Sequence, residues 1–310
     1  MPSQVIRKVK SMNRSDPDSS INPWDRFWFA PESTEAIART RGWLCLITAV
    51  YFVSAFADVS FWYADGRPFS PQNTSSFWRV AGLEQETRWN ISPLFLTGGS
   101  LLYHAYLAVG VMLCCVVAAG RGGRPAAFAL WAMLVGWANR AMILSGLTET
   151  LLSLGLFAAA IAPAAPAWAA DSKSIHWSAR LARQLIAVQI TIVGLGTFVT
   201  MLGGRVWFNG LGAYALAAPW QDRTINWTSD NSLLVNSTVH ELLTHMLVLA
   251  LPMGLLLAWS VSANRYGKAI LTLWCVAIAC LGSLWLYAAS FAVMVWAIGP
   301  SRARPDVDSA

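Results

Sequence analysis

The sequence predicts an all-α fold, a polytopic membrane helix bundle with about seven transmembrane helices. Of its 310 residues, 56% are hydrophobic and 12% are charged, whereas soluble domains carry about 25% charged residues. Mean hydropathy is +0.48. A soluble globule of this size exposes much of its residue surface to water, so a chain this apolar needs lipid as its solvent. The same composition excludes disordered, collagen-like, coiled-coil and disulfide-scaffold proteins.

The apolar stretches define the predicted spans. A membrane-spanning helix needs about 20 apolar residues. Seven stretches fit this pattern: residues 42–64, 94–119, 125–138, 147–165, 184–202, 233–259 and 269–298. The third is the shortest, and the polar pairs Asn139-Arg140 and Ser145-Gly146 separate it from the fourth. We therefore predict a hairpin turn over residues 139–146. One helix running straight through this stretch is the alternative, and it would give six spans.

The chain divides into a basic N-terminal segment, residues 1–41, a transmembrane domain, residues 42–298, and a polar tail, residues 299–310. Within the first segment, residues 22–29 place aromatic side chains beside charges, a pattern typical of a helix at the membrane interface. Seven basic residues precede the first span, against three in the next loop: Arg7, Lys8, Lys10, Arg14, Arg26, Arg39 and Arg41. The positive-inside rule therefore predicts a cytoplasmic N-terminus, in a plasma or inner membrane.

Neither a metal site nor nucleic-acid binding is predicted. The five cysteines all lie in apolar stretches, without Cys-x-x-Cys or Cys/His ligand spacing. His240 and His245 are five residues apart, whereas the helical zinc motif needs histidines four apart on one face. We attribute the net charge of +6 to membrane orientation rather than to a nucleic-acid partner.

Ionisable side chains within the predicted spans mark the candidate site. Each costs about 2.5 kcal/mol or more in a bilayer unless it has a partner or a wet cavity. With seven spans, six of these groups lie towards the outer face: Asp58, His104, Glu149, His240, Glu241 and His245. Arg140 and Arg205 flank spans on the same side. We therefore predict one polar cavity open to the outer face, with Asp58, His104, Arg140, Glu149 and Arg205 as ligand-binding residues.

Two side-chain pairs are predicted in this cavity. A hairpin brings Arg140 to Glu149, whereas a straight helix would set residues nine apart on opposite faces. That pair is either part of a ligand site or only an interfacial salt bridge. Glu241 and His245, four residues apart, share a helix face, which favours a hydrogen-bonded carboxylate and imidazole with a structural or an acid-base role. The catalytic candidates are His240, Glu241 and His245.

Several segments resemble the HTTM domain, the horizontally transferred transmembrane domain related to vitamin K-dependent gamma-carboxylase. The resemblance extends from about residue 28 to residue 260. It is carried by Trp177-Ser-Ala-Arg180-Leu-Ala-Arg183-Gln184, Gly194-Leu-Gly196, Leu202-Gly203-Gly204-Arg205-Val-Trp207-Phe-Asn-Gly210, Asn139-Arg140 ahead of Gly146-Leu-Thr-Glu149, and Phe29-Ala-Pro31 ahead of Arg41. It implies a helical membrane bundle whose carboxylase relatives act at the lumenal or outer face. These relatives use a reduced quinone, oxygen and carbon dioxide to modify glutamyl side chains.

The chain departs from the carboxylase pattern in two respects. The family places a lysine, the carboxylase's base, shortly before the Trp-x-x-Gly segment, and residues 199–205 here contain none. The large soluble domain appended to the carboxylases is also absent from these 310 residues. We therefore do not predict gamma-carboxylation.

Two functions fit these observations. The first is a binding or accessory protein of HTTM type that holds a lipid, a quinone or another apolar ligand in the outer cavity, with membrane lipids as partners. The second is a membrane enzyme of carboxylase-like descent, acting on an apolar or lipid-linked substrate with Glu241 or His240 as general base. A proton-coupled transporter is disfavoured, because Asp58, Glu149 and Glu241 lie in one half of the membrane. The sequence does not identify a cofactor.

Overall fold

The structure, a computed structural model, describes residues 22–80, 82, 92–96, 99–141, 146–168, 174–218 and 233–299. These residues form an almost entirely helical bundle with one two-stranded antiparallel sheet. The elements are α1 (Pro23–Phe29), β1 (Glu32–Ser33), α2 (Glu35–Asp58), α3 (Pro71–Val80), α4 (Ser100–Ala118), α5 (Gly123–Arg140), α6 (Leu147–Ile161), β2 (Ile175–His176), α7 (Trp177–Gly203), α8 (Arg205–Phe208), α9 (Gly212–Ala217), α10 (Ser237–Trp259), α11 (Asn264–Gly282) and α12 (Trp285–Val295). A π-helical turn, Val59–Tyr63, extends α2, and 3₁₀ turns cover Pro93–Leu96 and Leu233–Val235.

Within the described residues, five helices are long and apolar enough to cross a membrane: α2 with its π-helical turn, α4, α7, α10 and α11. Only 28–39% of the apolar window of each is buried inside the protein. The outward faces therefore carry large apolar side chains, among them Met112, Ile192, Val199, Leu256 and Leu273. So much exposed apolar surface is unfavourable in water and favourable in lipid. The all-α prediction is confirmed, and the bundle has the character of a multi-pass membrane protein.

The helices pack as two groups of four. Helices α2, α4, α5 and α6 form one group, and α7, α10, α11 and α12 form the other. The groups meet where α6 packs on α7 and where α12 packs on α2 and α6. Gly155 of α6 permits this approach, since a Cβ there would lie 2.9 Å from a methyl carbon of Leu44 and 3.5 Å from the Met294 sulfur.

Helices α5 and α6 form the predicted hairpin. The Trp131 indole donates a hydrogen bond to Ser153 Oγ at 3.1 Å, and the rings of Phe128 and Phe157 lie 6.0 Å apart. Both contacts require the chain to reverse between the two helices, so the straight helix of the six-span alternative is wrong. Residues 142–145 of the turn lie outside the described residues.

The predicted single span over residues 269–298 is wrong. Helix α11 ends at Gly282 and α12 begins at Trp285, and Ser283 between them adopts a left-handed conformation with φ +54°. The rings of Trp274 and Phe291 lie 5.4 Å apart, and Lys268 Nζ donates to the Trp296 carbonyl at 3.2 Å. This stretch is therefore a second hairpin. Its turn is short and contains only Gly282 and Ser283 between apolar residues, so the hydropathy pattern does not show a break between two helices.

The aromatic segment over residues 22–29 is helical from Pro23 to Phe29, which is α1, and its position at the membrane interface stays a prediction. Its first turn is capped by the Asn22 side chain, which accepts from the Trp24 amide at 3.1 Å. The Phe27 ring stacks on Trp259 of α10, with 6.3 Å between ring centres. Residues 1–21, with Arg7, Lys8, Lys10 and Arg14, and the tail from residue 300 lie outside the described residues.

The longer helices run alternately in opposite directions, so the bundle has two ends. We call the end where α2, α7 and α11 begin the Glu32 end, and the opposite end the Arg140 end. Helices α4, α6, α10 and α12 return to the Glu32 end.

Candidate functional site

Arg140, a predicted ligand residue, is buried at the Arg140 end with 2% of its surface exposed. Its Nε donates to the Tyr103 hydroxyl at 3.0 Å, its Nη1 donates to Thr74 Oγ1 at 3.3 Å, and its Nη2 donates to the Phe69 carbonyl. The rings of Tyr63, Phe95 and Tyr103 surround the guanidinium, with their centres 5.1–5.6 Å from its carbon. Aromatic faces stabilise a cation at this distance. Arg140 therefore fastens α5 to α4, to α3 and to the segment before α3.

The predicted salt bridge between Arg140 and Glu149 does not form. Glu149 instead accepts from the Tyr51 hydroxyl at 2.8 Å and from the Gly146 amide at 2.8 Å. The second contact caps the N-terminus of α6, where the amide groups favour a carboxylate. Local capping and the aromatic surroundings of Arg140 thus take the place of the predicted pair. Both charges still interact electrostatically with Tyr63.

His104 and Asp58 also lie at the Arg140 end. His104 Nδ1 is 2.7 Å from the Ser100 carbonyl, and its ring lies 5.6 Å from the Phe56 ring. Asp58 is exposed at the end of α2 and interacts electrostatically with Tyr63. Asp58 therefore lies beside the aromatic cluster around Arg140, whereas His104 contacts Phe56 and uses Nδ1 for its own helix.

A second polar group, at the start of α10, is organised around Thr244. Thr244 Oγ1 accepts from the Ala213 amide at 2.9 Å and lies 2.8 Å from the Gly210 carbonyl and 2.7 Å from the His240 carbonyl. The buried imidazole of His240 has Nδ1 3.2 Å from the Leu234 carbonyl. These contacts bind α10 to the short helices α8 and α9.

The predicted carboxylate–imidazole pair of Glu241 and His245 is wrong. His245 Nδ1 lies 2.7 Å from the main-chain carbonyl of Glu241, not from its carboxylate. Both side chains are exposed, and the Glu241 stem packs against Gly210. Arg205 is exposed in α8. Helical spacing correctly placed Glu241 and His245 on one face, but the nearer backbone acceptor binds the imidazole.

The sequence-predicted residues thus lie at one end of the bundle but in two groups. Arg140, Glu149, Asp58 and His104 belong to α2, α4, α5 and α6, whereas the other four belong to α8 and α10. The polar contacts above stay within each group. They do not support a single cavity that gathers all eight residues.

The Glu32 end contains a charged cluster that the sequence did not predict. Arg183 of α7 is 6% exposed, and its Nε lies 2.7 Å from Glu32 Oε1. Its Nη1 donates to the carbonyls of Ala297 at 2.9 Å and Gly299 at 2.7 Å. Arg180 Nη1 lies 3.6 Å from Glu32 Oε2. One guanidinium therefore joins the strand before α2, the start of α7 and the end of α12.

Two cavities open beside this cluster. A polar cavity of about 760 Å³ is lined by charged side chains from β1, α2, α7 and α11: Glu32, Glu35, Arg39, Arg183, Arg265 and Lys268. An apolar groove of about 820 Å³ lies between α2 and α12, and its walls include Trp43, Leu46, Val50, Trp285, Leu286 and Ala289. Ala36, Arg39, Arg183 and Trp296 line both. The polar cavity and the apolar groove are therefore adjacent.

Sequence reasoning missed this cluster because its members are far apart in the chain. Arg183 directly precedes the predicted fifth span, and Glu32 lies in the segment assigned as basic. The available signal was an arginine next to the start of an apolar span, because a charged side chain at that position needs a partner. Nothing in one sequence identifies that partner as Glu32.

No group of three or more His, Cys, Asp or Glu side chains placed to hold a metal ion occurs in the part of the chain that the structure describes. Comparison with models of protein families, with curated proteins and with solved structures gave no match.

Proposed function

We propose that this chain is a multi-pass membrane protein of HTTM type that binds the apolar part of a lipid, a quinone or a lipid-linked molecule. The proposal places that ligand in the groove between α2 and α12. The observation that carries it is the groove itself, about 820 Å³ in volume and walled by apolar side chains. The predicted site at the outer face is thereby replaced by one at the Glu32 end.

The walls of the groove suit a hydrocarbon chain. Val50 on α2 is 49% exposed, and Trp285 on α12 is 51% exposed, so both present apolar surface that a ligand would cover. Each CH₂ group buried there contributes about 0.8 kcal/mol. Trp285 and Trp296 line the groove at the two ends of α12, and tryptophan is preferred near membrane interfaces.

The distribution of cations supports a cytoplasmic Glu32 end and hence a cytoplasmic N-terminus. Of the 13 Lys and Arg among the described residues, nine lie at the Glu32 end: Arg26, Arg39, Arg41, Arg121, Arg124, Arg180, Arg183, Arg265 and Lys268. Four lie at the Arg140 end: Arg67, Arg79, Arg140 and Arg205. The positive-inside rule assigns the richer end to the cytoplasm of a plasma or inner membrane.

The enzymatic alternative stays a prediction. His240 has Nδ1 against the Leu234 carbonyl, and His245 has Nδ1 against the Glu241 carbonyl. These contacts do not single out a general base with a substrate site beside it.

Photocrosslinking tests the groove. The protein is placed in lipid nanodiscs with a diacylglycerol that carries a diazirine in its acyl chain and no charge in its head. We expect crosslinks to peptides containing Leu46–Val50 and Trp285–Ala289. In the double variant Val50→Trp, Ala289→Trp, which fills the groove, crosslinking at these peptides should fall severalfold.

The matched control is the double variant Val53→Trp, Ala57→Trp. Both positions are exposed on α2 but are not among the residues that line the groove. Crosslinking in this control should equal that of the wild type. Uniform crosslinking over all exposed helices, or an equal loss in both variants, would show that the groove is ordinary lipid-facing surface.

A further inference from the structure

Arg183, which lies beside both the polar cavity and the apolar groove, has two buried donor atoms without a hydrogen-bond partner in the described residues. The side chain lines both spaces. Its Nη1 donates to two carbonyl groups. Its Nε lies within ion-pair distance of Glu32 Oε1, but Nε and Nη2 are both buried without a hydrogen-bond partner in the described residues. A buried guanidinium donor left unsatisfied is costly, so an acceptor that enters the cavity would stabilise it.

The polar cavity carries an excess of positive charge. Four cations line it, Arg39, Arg183, Arg265 and Lys268, against two carboxylates. Both carboxylates already have cationic partners, because Glu35 pairs with Arg39 and Glu32 pairs with Arg183. The cavity is therefore suited to an anion.

The position of Lys268 extends this charge to the mouth of the groove. Its Nζ lies 5.5 Å from the centre of the Trp296 ring and donates to the Trp296 carbonyl at 3.2 Å. Trp296 lines both the polar cavity and the groove. An anion between Arg183 and Lys268 would thus have apolar surface directly beside it.

We infer that the occupant is a lipid with a phosphate head group, its acyl chain in the groove and its phosphate in the polar cavity. This inference rests on the proposed function and specifies the ligand's chemistry. A guanidinium offers donors in a fixed fork that matches phosphate oxygens, and Arg183 Nη2 is the donor available for this. Arg265 and Lys268 supply the net positive charge, because Arg39 is paired with Glu35.

The experiment compares two diazirine probes with identical acyl chains, phosphatidic acid and diacylglycerol, with the full chain in nanodiscs. At equal mole fraction we expect the groove peptides to crosslink about tenfold more to phosphatidic acid. Since each interfacial cation contributes about fivefold to anionic-lipid binding, Arg39→Gln with Lys268→Gln should remove most of this preference. Arg183→Gln should also remove it, but Arg183 holds Glu32 and two carbonyls, so this variant also disturbs the fold. The test therefore depends on Arg39 and Lys268.

The control variant is Arg67→Gln with Arg79→Gln, which removes two exposed cations from the Arg140 end and should leave the preference unchanged. Equal crosslinking of both probes, unaffected by the cavity variants, would overturn the phosphate inference and leave the proposed function standing. Failure of both probes to mark the groove would overturn the proposed function as well. Inorganic phosphate at millimolar concentration is added as a competitor. If it abolished crosslinking to phosphatidic acid regardless of the length of the acyl chain, the cavity would be a free-phosphate site and the lipid inference would be wrong.

Discussion

Three buried arginines each hold main-chain carbonyls at the end of a helix or loop. Arg41 donates to the carbonyls of Pro163 at 3.1 Å and Ala165 at 2.6 Å, just after α6. Arg140 donates to Phe69, and Arg183 donates to Ala297 and Gly299 after α12. Helix C-termini leave carbonyls without intrahelical partners, and cations there also interact favourably with the helix dipole. Arg41 and Arg183 thus satisfy carbonyls just after α6 and α12, whereas Arg140 satisfies one in the segment before α3.

Arg140→Lys should lower the free energy of unfolding by about 2 kcal/mol. A lysine ammonium cannot reach Tyr103, Thr74 and Phe69 with the geometry of a guanidinium, and a buried polar group left unpaired costs about 1–3 kcal/mol. Denaturation of the purified protein in detergent micelles measures the change. Arg121→Lys, at an exposed position, is the control and should change stability by less than about 0.5 kcal/mol. Equal stability of the two variants would mean that the Arg140 contacts contribute nothing.

At the scale of single residues, the sequence predicted which ionisable side chains need a partner better than it predicted what those partners are. Arg140 and Glu149 are both buried, as their cost in a membrane suggested. Their partners are Phe69 and Tyr51, which are 71 and 98 residues away in the chain. Helical periodicity relates only residues within a few turns, so contacts at this separation were not accessible to it.

Among the elements, the two hairpins show when a turn can be predicted. The α5–α6 turn is marked by Asn139, Arg140 and Ser145 between apolar stretches, and the sequence predicts it. The α11–α12 turn has only Gly282 and Ser283 within a run of apolar residues. The hydropathy pattern therefore predicted one span of 30 residues in place of two helices, although a membrane requires only about 20 residues.

Ser283→Gly should raise the free energy of unfolding by about 1 kcal/mol. Ser283 holds a left-handed conformation with φ +54°, which costs a residue with a Cβ about 1–2 kcal/mol and glycine almost nothing. Thermal denaturation of the two proteins in the same detergent measures the gain. Ser262→Gly, in the turn between α10 and α11, provides the comparison. Its backbone has no positive φ, so the substitution should lower stability through the entropy of the unfolded chain. A loss of stability in both variants would contradict the strain at Ser283.

For the whole molecule, the second hairpin changes the parity of the topology. A single span over residues 269–298 would leave residue 299 at the Arg140 end. The structure instead brings Gly299 back to Arg183 at 2.7 Å, at the end where α2 begins. The described chain therefore starts and finishes at the same end.

Labelling with a membrane-impermeant maleimide tests this topology in intact cells. Single cysteines are introduced by Ser75→Cys at the Arg140 end and by Ser262→Cys at the Glu32 end, both exposed positions, in a chain whose five cysteines are replaced by alanine. With a cytoplasmic Glu32 end, the cysteine at 75 should be labelled in intact cells and the cysteine at 262 only after permeabilisation. The reverse pattern would contradict the proposed orientation, and labelling of both in intact cells would contradict the alternating course of the helices.

The contact of Arg183 with Ala297 and Gly299 has a consequence for biosynthesis. Ribosomes deliver the chain from its N-terminus, so α2 and α7 reach the bilayer long before α12 exists. Glu32 and Arg183 can meet at that stage, but the groove has only one wall until the last helix inserts. The ligand proposed for this groove would therefore bind only after translation has passed residue 299 and α12 has inserted.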